Sequence, residues 1–169
     1  MTESKAMSNM RDSFFETISD EMKKNANIEF LTGDLGFGVI KPIIANTPDQ
    51  FTNLGIAEQN LIGMAAGLAH EGKKVFAYSL GNFPTLRPIE QIRNNICYHD
   101  KDVKIVSIGG GFTYGQLGMS HHATEDIACL RSLPNMRVFV PCDEFECRAI
   151  VHELSKKGDT KPAYLRIER

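Results

Sequence analysis

Apolar and polar positions along the chain switch between a helical and a strand period, and the switching predicts its elements. After Ser8, a good N-cap, Met10, Phe14, Phe15, Ile18 and Met22 recur at helical spacing, and Lys23 and Lys24 supply the positive charge that suits a helix C-terminus. Ile28 to Thr32 then reads as a short strand ending in Gly33-Asp34-Leu35-Gly36. A connection with Pro42 and Pro48 leads to a second strand at 51–54. A helix is expected from about Ala57 to His70, stopped by Gly72, and a strand from Val75 to Ser79. Residues 85–98 read as helical, with Ile89, Ile92 and Ile96 on one face, and Val103 to Ile108 as an apolar strand. A glycine-rich loop follows from Gly109 to Gly118. The rest reads as a helix from His122 to Arg131, a strand at Val138–Val140, a helix capped by Asp143 and reaching about Lys157, and a last strand from Ala163 to Ile167.

Strands alternating with helices predict an α/β fold, a three-layer α/β/α arrangement with a mainly parallel sheet covered on both faces. Ligands of such sheets collect at the carboxyl ends of the strands. The glycine and polar signals fall there: 33–38, 55–60, 79–84 and 109–121. One sheet edge is therefore expected to carry the function.

Composition narrows the class. The chain has 169 residues, which predicts a single domain over 1–169 and leaves no room for a multi-domain enzyme. Lys and Arg number 19 against 21 Asp and Glu, so no basic excess points to nucleic acid. The first thirty residues carry charges throughout and no apolar segment of a signal peptide, and no apolar run approaches the ~18 residues of a membrane span. A cytoplasmic protein is expected. The four cysteines form no CxxC pair and read as buried or half-buried small apolar side chains.

Three residues could carry chemistry. Glu58 opens a helix whose remaining residues are nearly all apolar or small, so its carboxyl is only partly hydrated and is placed to accept or donate a proton; it equally fits an ordinary helix-start glutamate. Phe83, in the loop Ser79–Pro84, offers either a ring to stack on a flat heterocycle or a core aromatic. His121 ends the glycine-rich loop, where a histidine can hydrogen-bond a substrate hydroxyl. His121 and Glu125 are four apart, but they lack a third ligand and Glu125 also fits a capping box, so no metal is assigned to this chain.

Taken in order, the GDLG turn, GIAEQN opening an apolar helix, SLGNFPTLRPIEQIRNNICY, GMSHHATEDIACLRSLPN and PAYLRIER are more specific than any one of them. From about Arg11 to Arg169 the chain resembles the pyrimidine-binding domain of transketolase-like, thiamine-diphosphate-dependent enzymes. The resemblance implies a two-carbon ketol transfer between sugars, in which the cofactor carries the chemistry and the protein supplies orientation and a proton. Glu58 matches the glutamate that hydrogen-bonds a ring nitrogen of the aminopyrimidine, and Phe83 the aromatic that stacks on it. Asp34 and Leu35 match residues that lie against the thiazolium. His121 matches a histidine near the reacting hydroxyl groups. Arg11, and either Arg166 or Arg169, match arginines that hold a substrate phosphate.

The departures are also informative. Leu80 stands where a second stacking aromatic is common, Leu117 where an acidic residue reads a sugar hydroxyl, and Gly38 where a serine helps bind phosphate. Gly109-Gly110-Gly111 replaces a phosphate-binding histidine. The cofactor side matches and much of the sugar-phosphate side does not, which predicts a specialised sugar rather than the usual pentose phosphates. The family's Gly-Asp-Gly motif with its downstream Asn has no complete counterpart. The diphosphate and its Mg2+ (or Ca2+) are therefore expected on a separate diphosphate-binding partner subunit, in an oligomer with twofold symmetry. The family's C-terminal domain would begin where this chain stops. A 2-oxoacid dehydrogenase component, a deoxyxylulose-phosphate synthase and a non-catalytic scaffold subunit are the alternatives.

Overall fold

The computed structural model describes residues 9–169, and its centre is a six-stranded, all-parallel sheet. The strands are β1 (Ile28–Thr32), β2 (Phe51–Asn53), β3 (Lys74–Leu80), β4 (Val103–Ile108), β5 (Arg137–Phe139) and β6 (Ala163–Ile167), in the order β2-β1-β3-β4-β6-β5. The helices are α1 (Met10–Lys24), α2 (Lys41–Asn46), α3 (Glu58–His70), α4 (Ile89–Gln91), α5 (Asp126–Arg131) and α6 (Glu144–Ser155). The central strands are buried on both faces, as parallel strands between helical layers must be.

Alternation along the strands divides the core into two layers. Phe30, Phe76, Tyr78, Val106 and Leu165 face α1 and α6, where they meet Phe14, Ile18, Met22, Cys147 and Val151. Leu31, Val75, Ala77, Ile105 and Tyr164 face α3, α5 and the segment after α4. In the first layer Phe14 lies 6.2 Å from Tyr78 in a stacked arrangement and 5.2 Å from Phe15 edge-on. This aromatic cluster ties α1 to the middle of the sheet.

Several elements depart from the expectation, each for a local reason. The expected cap Ser8 lies outside the described residues; Asn9 caps α1, its side chain accepting from Asp12 N at 2.8 Å. Pro42, expected in a connection, sits in the first turn of α2, where a missing N–H is harmless. The helix expected over 85–98 begins only at Ile89 and widens into a π-helix at Ile92–Cys97, which keeps Ile92 and Ile96 buried against α3. The helix expected from His122 begins at Asp126. Ala123 instead pairs with Gly111 in an isolated bridge that closes the glycine-rich loop. Cys142 is exposed, contrary to expectation. Cys97 and Cys147 are buried, their thiols pushed up to about 11 and about 12 by burial, so both are protonated at neutral pH. No described helix is long and apolar enough to cross a membrane.

The amino end of the sheet holds a buried ion cluster. Lys104, on β4, is fully buried; its Nζ donates to Asp159 Oδ1 at 2.7 Å and to the Lys161 carbonyl at 2.5 Å. It also lies 2.8 Å from Asp102 Oδ1, an ion contact off the hydrogen-bond direction that leaves this oxygen without a hydrogen bond. Lys74 donates to Asp102 Oδ2 at 2.8 Å, and Arg137 grips both Asp159 oxygens at 2.7 and 2.8 Å. Burial alone would raise the Asp159 carboxyl, but the hydrogen bonds and charges of Arg137 and Lys104 hold it well below its usual 3.8. A carboxyl lowered by folding stabilises the fold above its unfolded pKa, and that contribution disappears as pH falls through the folded value. In urea melts, Asp159→Asn is therefore expected to be less stable than the wild type at pH 7. The gap should narrow steadily below about pH 4; a gap unchanged down to pH 2 would contradict this.

Candidate functional site

The carboxyl ends of β1, β2 and β3 place Asp34, Glu58 and Phe83 on one edge, as the sequence predicts. Glu58 is the first residue of α3 and only 4% exposed, unlike an ordinary helix-start glutamate, which is solvated. Its Oε2 accepts from Arg87 Nη1 at 2.9 Å. The Arg87 guanidinium carbon lies 3.9 Å from the centroid of the half-buried Phe83 ring, and Phe83 meets the His121 ring at 5.0 Å with the planes at 63°. Glu58, Arg87, Phe83 and His121 thus form a continuous chain of contacts. Beside it opens a cleft of about 540 Å³ lined by Ile56, Ala57, Glu58, Gln59, Asn60 and Arg87.

The backbone approaches Glu58 closely from β1. A methyl group in place of the Gly33 hydrogen would lie 3.4 Å from the Gly55 carbonyl oxygen, 3.7 Å from Ser79 Oγ and 3.9 Å from Glu58 Oε1. Ser79 Oγ is buried and has no hydrogen-bond partner among the described residues. Asp34 adopts a left-handed backbone (φ 61°), which Asn53 supports: Asn53 Oδ1 accepts the Asp34 N–H at 2.9 Å and Nδ2 donates to Asp34 Oδ1 at 2.9 Å. Leu35 is half-buried against the α1 layer of the core. Gly81 has to be glycine-like: its φ is 54°, and a Cβ there would meet the His121 carbonyl oxygen at 3.1 Å. His121 Nδ1 shares a hydrogen bond with Ser120 Oγ at 3.0 Å.

The arginines lie further along the same edge. Arg166 points beneath the glycine-rich loop, 3.5 Å from the buried Asp126 and 3.7 Å from Glu168. Asp126 also accepts from Tyr164 Oη at 2.5 Å. Glu168 holds Gly110 N and Thr113 Oγ1, which tethers the loop to β6. Arg11 is half-buried at the start of α1 and pairs with Asp12 at 3.0 Å. The Glu168 N–H donates to Met10 Sδ at 3.3 Å, so the start of α1 and the end of β6 are neighbours. Arg169 is exposed.

Arg87 is the site residue that sequence reasoning missed. The available signal was its place four residues after Phe83, near the start of the helix expected over 85–98. Asn53 and Ser79 were not singled out either; Asn53 reads as a strand residue, and Ser79 only as the first residue of the polar stretch 79–84.

The arrangement defines a class: a parallel α/β domain whose carboxyl edge holds a buried carboxylate beside an aromatic face. The particular family follows from comparison. Residues 6–169 match the model of the transketolase pyrimidine-binding domain, and the chain belongs to that family. It is 38% identical over 160 residues to one of the subunits of the apulose-4-phosphate transketolase of Phocaeicola vulgatus, covering 94% of this chain and 51% of the relative. It is 41% identical over 162 residues to a putative transketolase C-terminal section of Methanocaldococcus jannaschii, covering 95% and 50%. A solved split-gene transketolase, described as an inactive β4 tetramer, superposes with a TM-score of 0.83 at 38% identity over 95% of this chain and 50% of that one. The chain spans about half the length of these relatives.

The residues fit one half of thiamine diphosphate. An aminopyrimidine needs a carboxylate toward its ring nitrogen, a stacking face and polar partners at its rim. Glu58, Phe83 and the unsatisfied Ser79 Oγ answer those needs, and Gly33 leaves room between them. Among the described residues no three His, Cys, Asp or Glu side chains converge on a metal position.

Proposed function

We propose that this chain supplies the pyrimidine half of a transketolase-type active site that moves a two-carbon ketol unit between sugars. The observation that carries the reading is the nearly buried Glu58 carboxylate beside the Phe83 ring at the carboxyl edge of a pyrimidine-domain sheet. Thiamine diphosphate, when bound, supplies the carbanion chemistry. Glu58 then hydrogen-bonds the aminopyrimidine nitrogen and controls the proton there, in surroundings where water competes weakly. Phe83 holds the ring plane. Asp34, fixed by Asn53, and Leu35, fixed by the core, bound the thiazolium side. His121, in contact with Phe83, meets the substrate hydroxyls.

For the substrate phosphate, Arg11 is one candidate, and the exposed Arg169 suits the second position better than Arg166, which lies against Asp126 and Glu168. The diphosphate and its Mg2+ (or Ca2+) belong to a diphosphate-binding partner subunit, and the assembly has twofold symmetry, as pyrimidine and diphosphate domains pair across such axes. The apulose-4-phosphate relative supports a specialised sugar rather than the common pentose phosphates. The four free thiols fit the reducing cytoplasm.

Calorimetry tests the reading. Thiamine diphosphate with Mg2+ is expected to bind tightly to this chain mixed with a diphosphate-binding subunit, and at least a hundredfold more weakly to this chain alone. Absence of binding in the mixture would favour the scaffold alternative.

A further inference from the structure

Arg87 makes both contacts that the proposed reading assigns to the aminopyrimidine. Its Nη1 donates to Glu58 Oε2 at 2.9 Å, and its guanidinium carbon lies 3.9 Å over the Phe83 ring. A guanidinium is a planar, conjugated N–C–N group with in-plane donors, so it presents a hydrogen-bonding edge to a carboxylate and a flat face to an aromatic, as an aminopyrimidine does. Both groups need a carboxylate oxygen of Glu58, of which Arg87 takes Oε2, and both need the space above the ring.

We propose that Arg87 is a built-in competitor of the cofactor's pyrimidine: it closes the space between Glu58 and Phe83, and the incoming ring displaces it into solvent. The inference rests on the pyrimidine reading of this site. Burial makes the competitor useful. Glu58 is 4% exposed, and a carboxylate that deep is costly without a counter-charge. Exposure makes it removable. The Arg87 side chain is 45% exposed, so its head reaches water by rotation of its own side chain and loses only a partly solvated ion pair. The backbone need not move: Thr85 N, Thr85 Oγ1 and Leu86 N all bond the Asn82 carbonyl, and Pro88 is buried. The cleft onto which Arg87 borders gives the displaced head somewhere to go.

Titration of the full chain with the pyrimidine fragment alone, 4-amino-5-hydroxymethyl-2-methylpyrimidine, followed by NMR, tests the competition without any turnover. Arg87→Met, which keeps the length but removes charge and donors, is expected to bind the fragment about tenfold more tightly than the wild type. Arg87→Lys, which keeps the charge but cannot stack as a plane, is expected to gain less. Equal or weaker binding by both variants, with wild-type shifts at Glu58 and Phe83, would overturn the competition and leave the pyrimidine reading standing. No saturable shifts near Glu58 in any of the three proteins, each also mixed with a diphosphate-binding subunit, would defeat the pyrimidine reading, and the competition with it.

Discussion

Glu58→Gln in the assembled enzyme is expected to lower kcat by about 10²- to 10⁴-fold, the range that a positioned proton-transfer group contributes. Glutamine has nearly the same shape and can still accept from Arg87, but it cannot carry the negative charge that draws a proton at the pyrimidine nitrogen. Thermal stability is expected to change by less than about 1 kcal/mol, because the ionic partner is a half-exposed arginine. Cofactor binding is expected to survive in part, since Phe83 and the Gly33 cradle are untouched. A split between kcat and cofactor Kd is therefore the signature. Turnover by Glu58→Gln at the wild-type rate would remove the proposed proton role.

The largest effect on stability is expected at the opposite end of the sheet. Lys104→Met keeps the volume of a fully buried side chain but withdraws the ammonium that Asp159 and Asp102 share. Breaking a buried pair from one side leaves the remaining charge in a poor solvent, at a cost of about 3 kcal/mol. For a chain of this size that corresponds to a fall in Tm of roughly 6–12 °C. Lys74 and Arg137 remain and limit the loss. A melt within 2 °C of the wild type would show that the two remaining cations suffice. The double change Lys104→Met with Asp159→Asn is expected to recover part of the loss, because the stranded charge goes with it.

Legibility from sequence followed the range of the interactions. Strands β1, β4 and β6 were read with their observed limits, since an uninterrupted apolar run between turn signals has few other uses in a chain of alternating elements. The start of α6 was legible from Asp143, whose side chain accepts from Glu146 N at 2.7 Å, because a cap is a contact between residues three apart. The segment 85–88 misled. Its helical spacing of isoleucines is real, but Pro88 and the turn on Asn82 delay the helix, and the π-helix that follows fits Ile92 and Ile96 to α3. Similarly, the helix at 122–131 loses its first four residues to a bridge between Ala123 and Gly111, a pairing across the loop that no local pattern announces.

The sequence by itself determined the parallel α/β architecture and put Glu58 and Phe83 at the carboxyl edge of its sheet, because alternating periods and motif order are properties of neighbouring residues. Only the tertiary structure decided how charges are matched across distant segments. Arg87 lies between Glu58 and Phe83, Arg166 turns to Asp126 rather than to solvent, and Lys104 meets Asp159 at the amino end of the sheet. Each pairing joins residues 29 to 55 positions apart in the chain. A buried charge selects its partner by proximity in the folded molecule, and that proximity exists only once the layers have packed.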